Sequence, residues 1–171
     1  MSKRKDRAAR NRNHSVNSNM GNKRISPVSE VLYHYTCVYH LPAIFSTGYL
    51  KLTDSNLIAP DGTWETELRS KAYKPVVWLT DSESPDRLGL DGSGADKKEV
   101  KITVARKHYM KYWRAWEPQK EMPKWWKAAF TDGYNASSWY VSERAISFRD
   151  ILKIENRYDG TVYYEAETLA A

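Results

Sequence analysis

The 171-residue chain has room for one domain and little more, and its 41% hydrophobic content is enough for a core of its own. Its apolar material is aromatic with polar handles: seven Trp and twelve Tyr stand beside three Phe, which suits a cleft wall or stacking surface as well as a core. One cysteine, Cys37, excludes an internal disulfide, and no run of about 18 apolar residues is present, so the expectation is a soluble, cytoplasmic protein with no membrane span.

The net charge of +6 is unevenly placed along the chain. Residues 1–24 hold eight Lys or Arg against one acid, Asp6, a net +7; the remainder holds nineteen bases and twenty acids, a net −1. Residues 1–27 therefore read as a disordered basic tail, suited either to nucleic-acid contact through counterion release or to plain solubility. Residues 28–171 read as a single domain that is itself close to neutral, unlike one that reads a duplex with its own surface.

Within the domain, Val31-Leu32-Tyr33-His34-Tyr35-Thr36 is β-branched and aromatic and reads as a strand. Leu41, Ile44 and Phe45 follow at helical spacing, with Gly48 where a C-cap belongs. Tyr49-Leu50-Lys51-Leu52 leads into a loop through Asp54, Asn56, Pro60, Asp61 and Gly62. Val76-Val77-Trp78-Leu79-Thr80 is the next strand, and a polar, glycine-rich loop runs from Asp81 to Lys98. Val100, Ile102 and Val104 alternate with polar residues as in a half-buried strand. Tyr109, Tyr112, Trp113 and Trp116 recur at three and four residues, which predicts an amphipathic helix up to Pro118. Trp125, Trp126, Ala129 and Phe130 suggest a second short helix ending near Gly133. Strands over Ser138–Glu143 and Ile151–Glu155 follow, and Val162-Tyr163-Tyr164 reads as a hairpin arm after the Asp159-Gly160 turn. This irregular order of strands and helices points to an α+β fold rather than a doubly wound sheet.

Several chemistries are set aside on spacing. Gly89-Leu90-Asp91-Gly92-Ser93-Gly94 lacks the Gly-Lys-Ser/Thr of a phosphate loop and opens no helix. His34, Cys37 and His40 could offer three ligands to zinc, but the predicted strand-to-helix transition spreads them and no fourth ligand is evident, so no metal site is expected. The rings from Tyr109 to Phe130, with Lys111, Arg114, Lys124 and Lys127 between them, suit base stacking or ordinary packing, and packing is favoured. His34 and Glu143 are left, each polar within a strand of apolar and aromatic neighbours, where it needs a partner or a cleft.

Taken together these segments resemble the ADP-ribosyltransferase superfamily. Leu32-Tyr33-His34-Tyr35-Thr36, then Leu41, Ile44 and Gly48-Tyr49-Leu50, resembles its opening as found in DNA-modifying toxins and tRNA 2′-phosphotransferases. Val76–Thr80 resembles the second motif, with Trp78 or Thr80 where Tyr or Ser is usual, and Trp139-Tyr140-Val141-Ser142-Glu143-Arg144 resembles the third. The chain is also similar to small bacterial and phage proteins that share the Tyr-His-Tyr-Thr opening. The resemblance implies an α+β domain with a split antiparallel or mixed β-sheet core and short flanking helices. It implies NAD as substrate, with Glu143 and His34 as catalytic residues and His34, Tyr35, Thr36, Trp78 and Thr80 in contact with NAD. On that reading the chain transfers ADP-ribose to a protein or nucleic-acid acceptor: His34 holds a ribose hydroxyl, Trp78 stacks on nicotinamide, and Glu143 steadies the positive charge that develops on the ribose. The alternative is a catalytically silent protein of the same fold that binds a nucleotide, a nucleic acid or another protein.

Overall fold

The computed structural model describes residues 29–52, 75–91, 94–120 and 124–167. The expectations for the tail, for the loop from Asp54 to Gly62, for Gly92 and Ser93, and for the side chains of Trp126, Ala129 and Phe130 lie outside the described residues.

The first strand forms as its β-branched and aromatic residues dictate, as β1 (Val31–Thr36). Helix α1 (Leu41–Thr47) follows, with Pro42 in its first turn and Leu41 and Ile44 buried. Gly48 ends it at φ 71°, donating its N–H to the Ile44 carbonyl. Beyond it come β2 (Tyr49–Leu50), β3 (Val77–Thr80) and β4 (Val100–Ala105). The remaining elements are β5 (Lys111–Tyr112), α2 (Glu117–Lys120), α3 (Lys124–Thr131), β6 (Trp139–Ser142), β7 (Ile146–Ser147), β8 (Ile151–Asn156) and β9 (Val162–Glu165).

Seven strands make one sheet in the order β5-β6-β3-β1-β4-β8-β9, and β2 and β7 pair separately. The fold is α+β, as expected, and every strand pairing among the described residues is antiparallel, so the parallel component of a mixed sheet is not found. The ladder is uneven. β1 pairs with β4 over its whole length, from Val31↔Ala105 to Thr36↔Val100, and β3 with β6 from Val77↔Ser142 to Thr80↔Trp139. Between β1 and β3 the register holds a single pair, Tyr33↔Thr80. The sheet thus consists of two well-laddered halves that meet at a thin junction.

Alternation along the strands sends side chains to two faces. Leu32, Val77, Leu79, Val100, Ile102, Val104 and Tyr140 meet Leu41 and Ile44 of α1 in the larger core, the α1 face. Burying a side chain such as Ile102 there contributes roughly 1.5–3 kcal/mol. Ile151 and Ile154 join the same core although they are three residues apart. A register shift between Thr103 and Val104 turns both isoleucines inward. On the opposite face Val76, Trp113, Trp116, Ala136, Trp139 and Val141 form a second cluster, with Trp78 packed against it.

The helix predicted over Tyr109–Trp116 is not formed. These residues make a turn, the two-residue β5 and a 3-10 turn over Trp113–Ala115, and α2 begins only at Glu117. Pairing of Tyr112 with Tyr140 places Tyr112 against the α1-face core, whereas Trp113 and Trp116 enter the opposite cluster. A helix would have put all these rings on one stripe; two sheet faces needed them divided. The second helical prediction, near Trp125, corresponds to α3.

Candidate functional site at the strand junction

His34 occupies the α1 face of β1, paired to Ile102 of β4. On its other side, where β1 and β3 share only one register pair, its Nδ1 lies 2.9 Å from the Trp78 carbonyl oxygen. A carbonyl only accepts, so Nδ1 carries the proton and Nε2 carries the lone pair. Burial lowers the His34 pKa, opposed by the bond to Trp78, and the nearby His40 and Lys97 lower it further. The result is a neutral imidazole of one tautomer, half-buried at the seam between the two halves.

Thr36 follows on the same face, and its Oγ1 shares a hydrogen bond of 2.8 Å with His40 Nδ1. Cys37 Sγ lies 3.7 Å from the same nitrogen. Among the described residues no group of three His, Cys, Asp or Glu is arranged to hold a metal ion. His34 and His40 each commit Nδ1 to a different neighbour.

Tyr35 alternates to the opposite face. Its hydroxyl donates to the Ser82 carbonyl at 3.1 Å and to the Glu83 carbonyl. Its neighbour on that face, Tyr33, donates to Glu83 Oε1 at 2.8 Å, and its pKa is pushed up to about 12 by burial and then by the Glu83 carboxylate. Thr80 is buried; its hydroxyl donates to Ser138 Oγ and accepts the Ser82 N–H, both at 3.0 Å. Trp78 is half-buried in the tryptophan cluster, 5.2 Å from Trp113 and 5.8 Å from Trp139 between ring centroids.

Glu143 was expected inside a strand. It lies one residue beyond β6, at an exposed bend, because the Ser142 hydroxyl donates to the Arg144 carbonyl and ends the ladder. Its Oε1 accepts the Trp116 indole N–H at 2.8 Å. The fold therefore brings Trp78, Thr80 and Glu143 to the tryptophan face and His34 and Thr36 to the α1 face. The expected pairing of His34 with Glu143 across one cleft is not what the register produces, because His34 and Trp78 lie on strands whose alternation is set in opposite phase by Tyr33↔Thr80.

Two groups at these strands carry little signal in the sequence: His40 stands out only as a potential metal ligand, and Glu83 lies in a loop without a motif. The -Tyr-x-Tyr- spacing of Tyr33 and Tyr35 was the available signal, since strand alternation puts both hydroxyls on one face. A polar cavity of 390 Å³, lined by Leu90, Asp91, Asp96, Lys98 and Tyr158, contains none of the expected site residues.

Fold and site thus define an α+β protein with a histidine set into the junction of a divided antiparallel sheet. Comparison with family models, with curated proteins and with solved structures finds no match to this chain. No helix among the described residues is long and apolar enough to cross a membrane.

Proposed function

We propose that this chain binds an NAD-type nucleotide at the β1–β3 junction of an ADP-ribosyltransferase-like fold, and that Glu143 is not a catalytic acid. The observation that carries the reading is His34: a neutral imidazole whose tautomer is held by the Trp78 carbonyl, so that Nε2 is a ready acceptor for a ribose hydroxyl. The uneven ladder supports it, since β1 and β3 share a single register pair beside His34 while the pairings on either side run the length of their strands. Thr36 and His40 add hydroxyl and imidazole groups on the same face, and Lys97 adds positive charge suited to a diphosphate. Glu143 serves the tryptophan cluster by accepting the Trp116 N–H, away from the histidine face.

Calorimetric titration of the full chain with NAD tests this. Wild type binds, His34→Ala binds about tenfold more weakly, the equivalent of one hydrogen bond of roughly 1.4 kcal/mol, and Glu143→Gln binds as wild type. Absence of NAD binding, or equal binding by His34→Ala, overturns the nucleotide reading. Nicotinamide release by wild type that disappears in Glu143→Gln overturns the silent reading in favour of an ADP-ribosyltransferase that uses this acid.

A further inference from the structure

The loop after β3 does more than connect strands. It leaves β3 at Thr80, where the Asp81 N–H donates to the Ser138 carbonyl at 3.0 Å at the entrance to β6. It then turns back across β1, where Tyr33 donates to the Glu83 carboxylate and Tyr35 to the Ser82 and Glu83 carbonyls. Further on, Arg87 sits in the left-handed region at φ 58°, a conformation unfavourable for a non-glycine residue and kept where surrounding contacts impose it. Those contacts are present: Arg87 Nε donates to the Gly133 carbonyl at 3.0 Å, and the Asn135 N–H donates to the Arg87 carbonyl at 2.6 Å.

The loop is thus bonded to both halves of the sheet. Tyr33 and Tyr35 belong to the β1-β4-β8-β9 half, whereas Gly133, Asn135 and Ser138 lead into β6 of the other half. Besides the apolar core they share, β1 and β3 are linked by the register pair Tyr33↔Thr80 and by the bond from His34 to Trp78. Tyr33 and Tyr35 flank His34 in sequence and point to the opposite face, so the loop pulls β1 against β3 at the row where His34 must reach the Trp78 carbonyl.

We propose that Tyr33 and Tyr35 are positioning residues which, by tying the Ser82–Glu83 segment across β1, close the junction and hold His34 on the Trp78 carbonyl. The loop is a strap, and the histidine's tautomer is its readout. The significance for nucleotide binding rests on the function proposed above, but the arrangement is tested without nucleotide, so either idea fails separately.

Nitrogen NMR of the histidine rings, on the full chain at neutral pH, distinguishes the Nδ1–H from the Nε2–H tautomer. Wild-type His34 is expected as the Nδ1–H form. The double variant Tyr33→Phe, Tyr35→Phe keeps both rings and removes both hydroxyls, and shifts His34 to a mixture in which Nε2–H, the usual form of a free imidazole, is populated. Because Tyr35 is buried, Glu83→Ala provides a second variant at an exposed position; it removes the carboxylate tie alone and produces a smaller shift in the same direction. Backbone amide exchange in β1 rises in both variants if the junction loosens. An unchanged Nδ1–H tautomer and unchanged β1 exchange in folded Glu83→Ala and in the folded double variant overturn the proposal; if the double variant does not fold, Glu83→Ala alone decides it.

Discussion

His34 shows how one side chain acquires its chemistry from its surroundings. Burial penalises its charged form, and His40 and Lys97 add to that penalty, while the bond to the Trp78 carbonyl pulls the other way without winning. Its folded-state pKa therefore lies below the unfolded value near 6.5. As pH falls through about 6.5 the unfolded chain takes up a proton that folded His34 refuses, so this residue's contribution is complete above that range and is lost on acidification. Denaturant unfolding between pH 7.5 and 5.5 should show stability declining, with His34 contributing at most about 1.4 kcal/mol per pH unit, the linkage of one proton. His34→Gln, which retains an N–H donor but does not titrate, should show a shallower decline; identical slopes would mean that His34 is protonated alike in both states. Glu143 presents the contrasting case. Its carboxylate is exposed and accepts the Trp116 indole N–H, a bond whose geometry Gln can keep without the charge.

At the scale of elements, local chemistry decided where the chain turns and tertiary pairing decided what runs between the turns. Gly48 terminates α1 with φ 71°, and a Cβ added there would meet nothing within 4 Å. Gly48→Ala should therefore cost only the backbone penalty of the left-handed conformation, about 1 kcal/mol, and Gly48→Asn less, both measurable by denaturant unfolding. A loss of several kcal/mol would mean a steric role the surroundings do not show. The alternation of Val100, Ile102 and Val104 was legible because β4 itself alternates buried and half-buried residues along its whole length. The three-residue spacing of Ile151 and Ile154 was not, because it makes sense only with the extra residue, Leu152, that β8 carries between its pairings to Val104 and Thr103. Tyr109 to Trp116 misled for a related reason: rings at helical spacing were supplying two separate cores.

Across the whole molecule the sheet is a partition with an aliphatic core on one face and a tryptophan cluster on the other. Both cores hang on the same strands, so they should melt together. Ile102→Ala, which empties a fully buried site on the α1 face, should lose about 2–5 kcal/mol. It should lower the unfolding midpoint by the same amount whether followed by backbone circular dichroism or by tryptophan fluorescence, although the tryptophans lie across the sheet. A fluorescence midpoint left unmoved would show that the two halves unfold independently at their thin junction.

What the amino-acid sequence determined by itself is what depends on near neighbours. The positions of β1, β3, β4, β8 and β9, the helix ending at Gly48 and the prominence of His34 all follow from alternation, β-branching and turn residues within a few positions. Tertiary structure alone decided which face each residue serves, since that depends on register between strands dozens of residues apart. The single Tyr33↔Thr80 pair sets the phase that places His34 on one side and Trp78, Thr80 and Glu143 on the other. A shift of one residue would have reversed that outcome, because side chains in a strand change face at every step, and no local pattern in the chain records it.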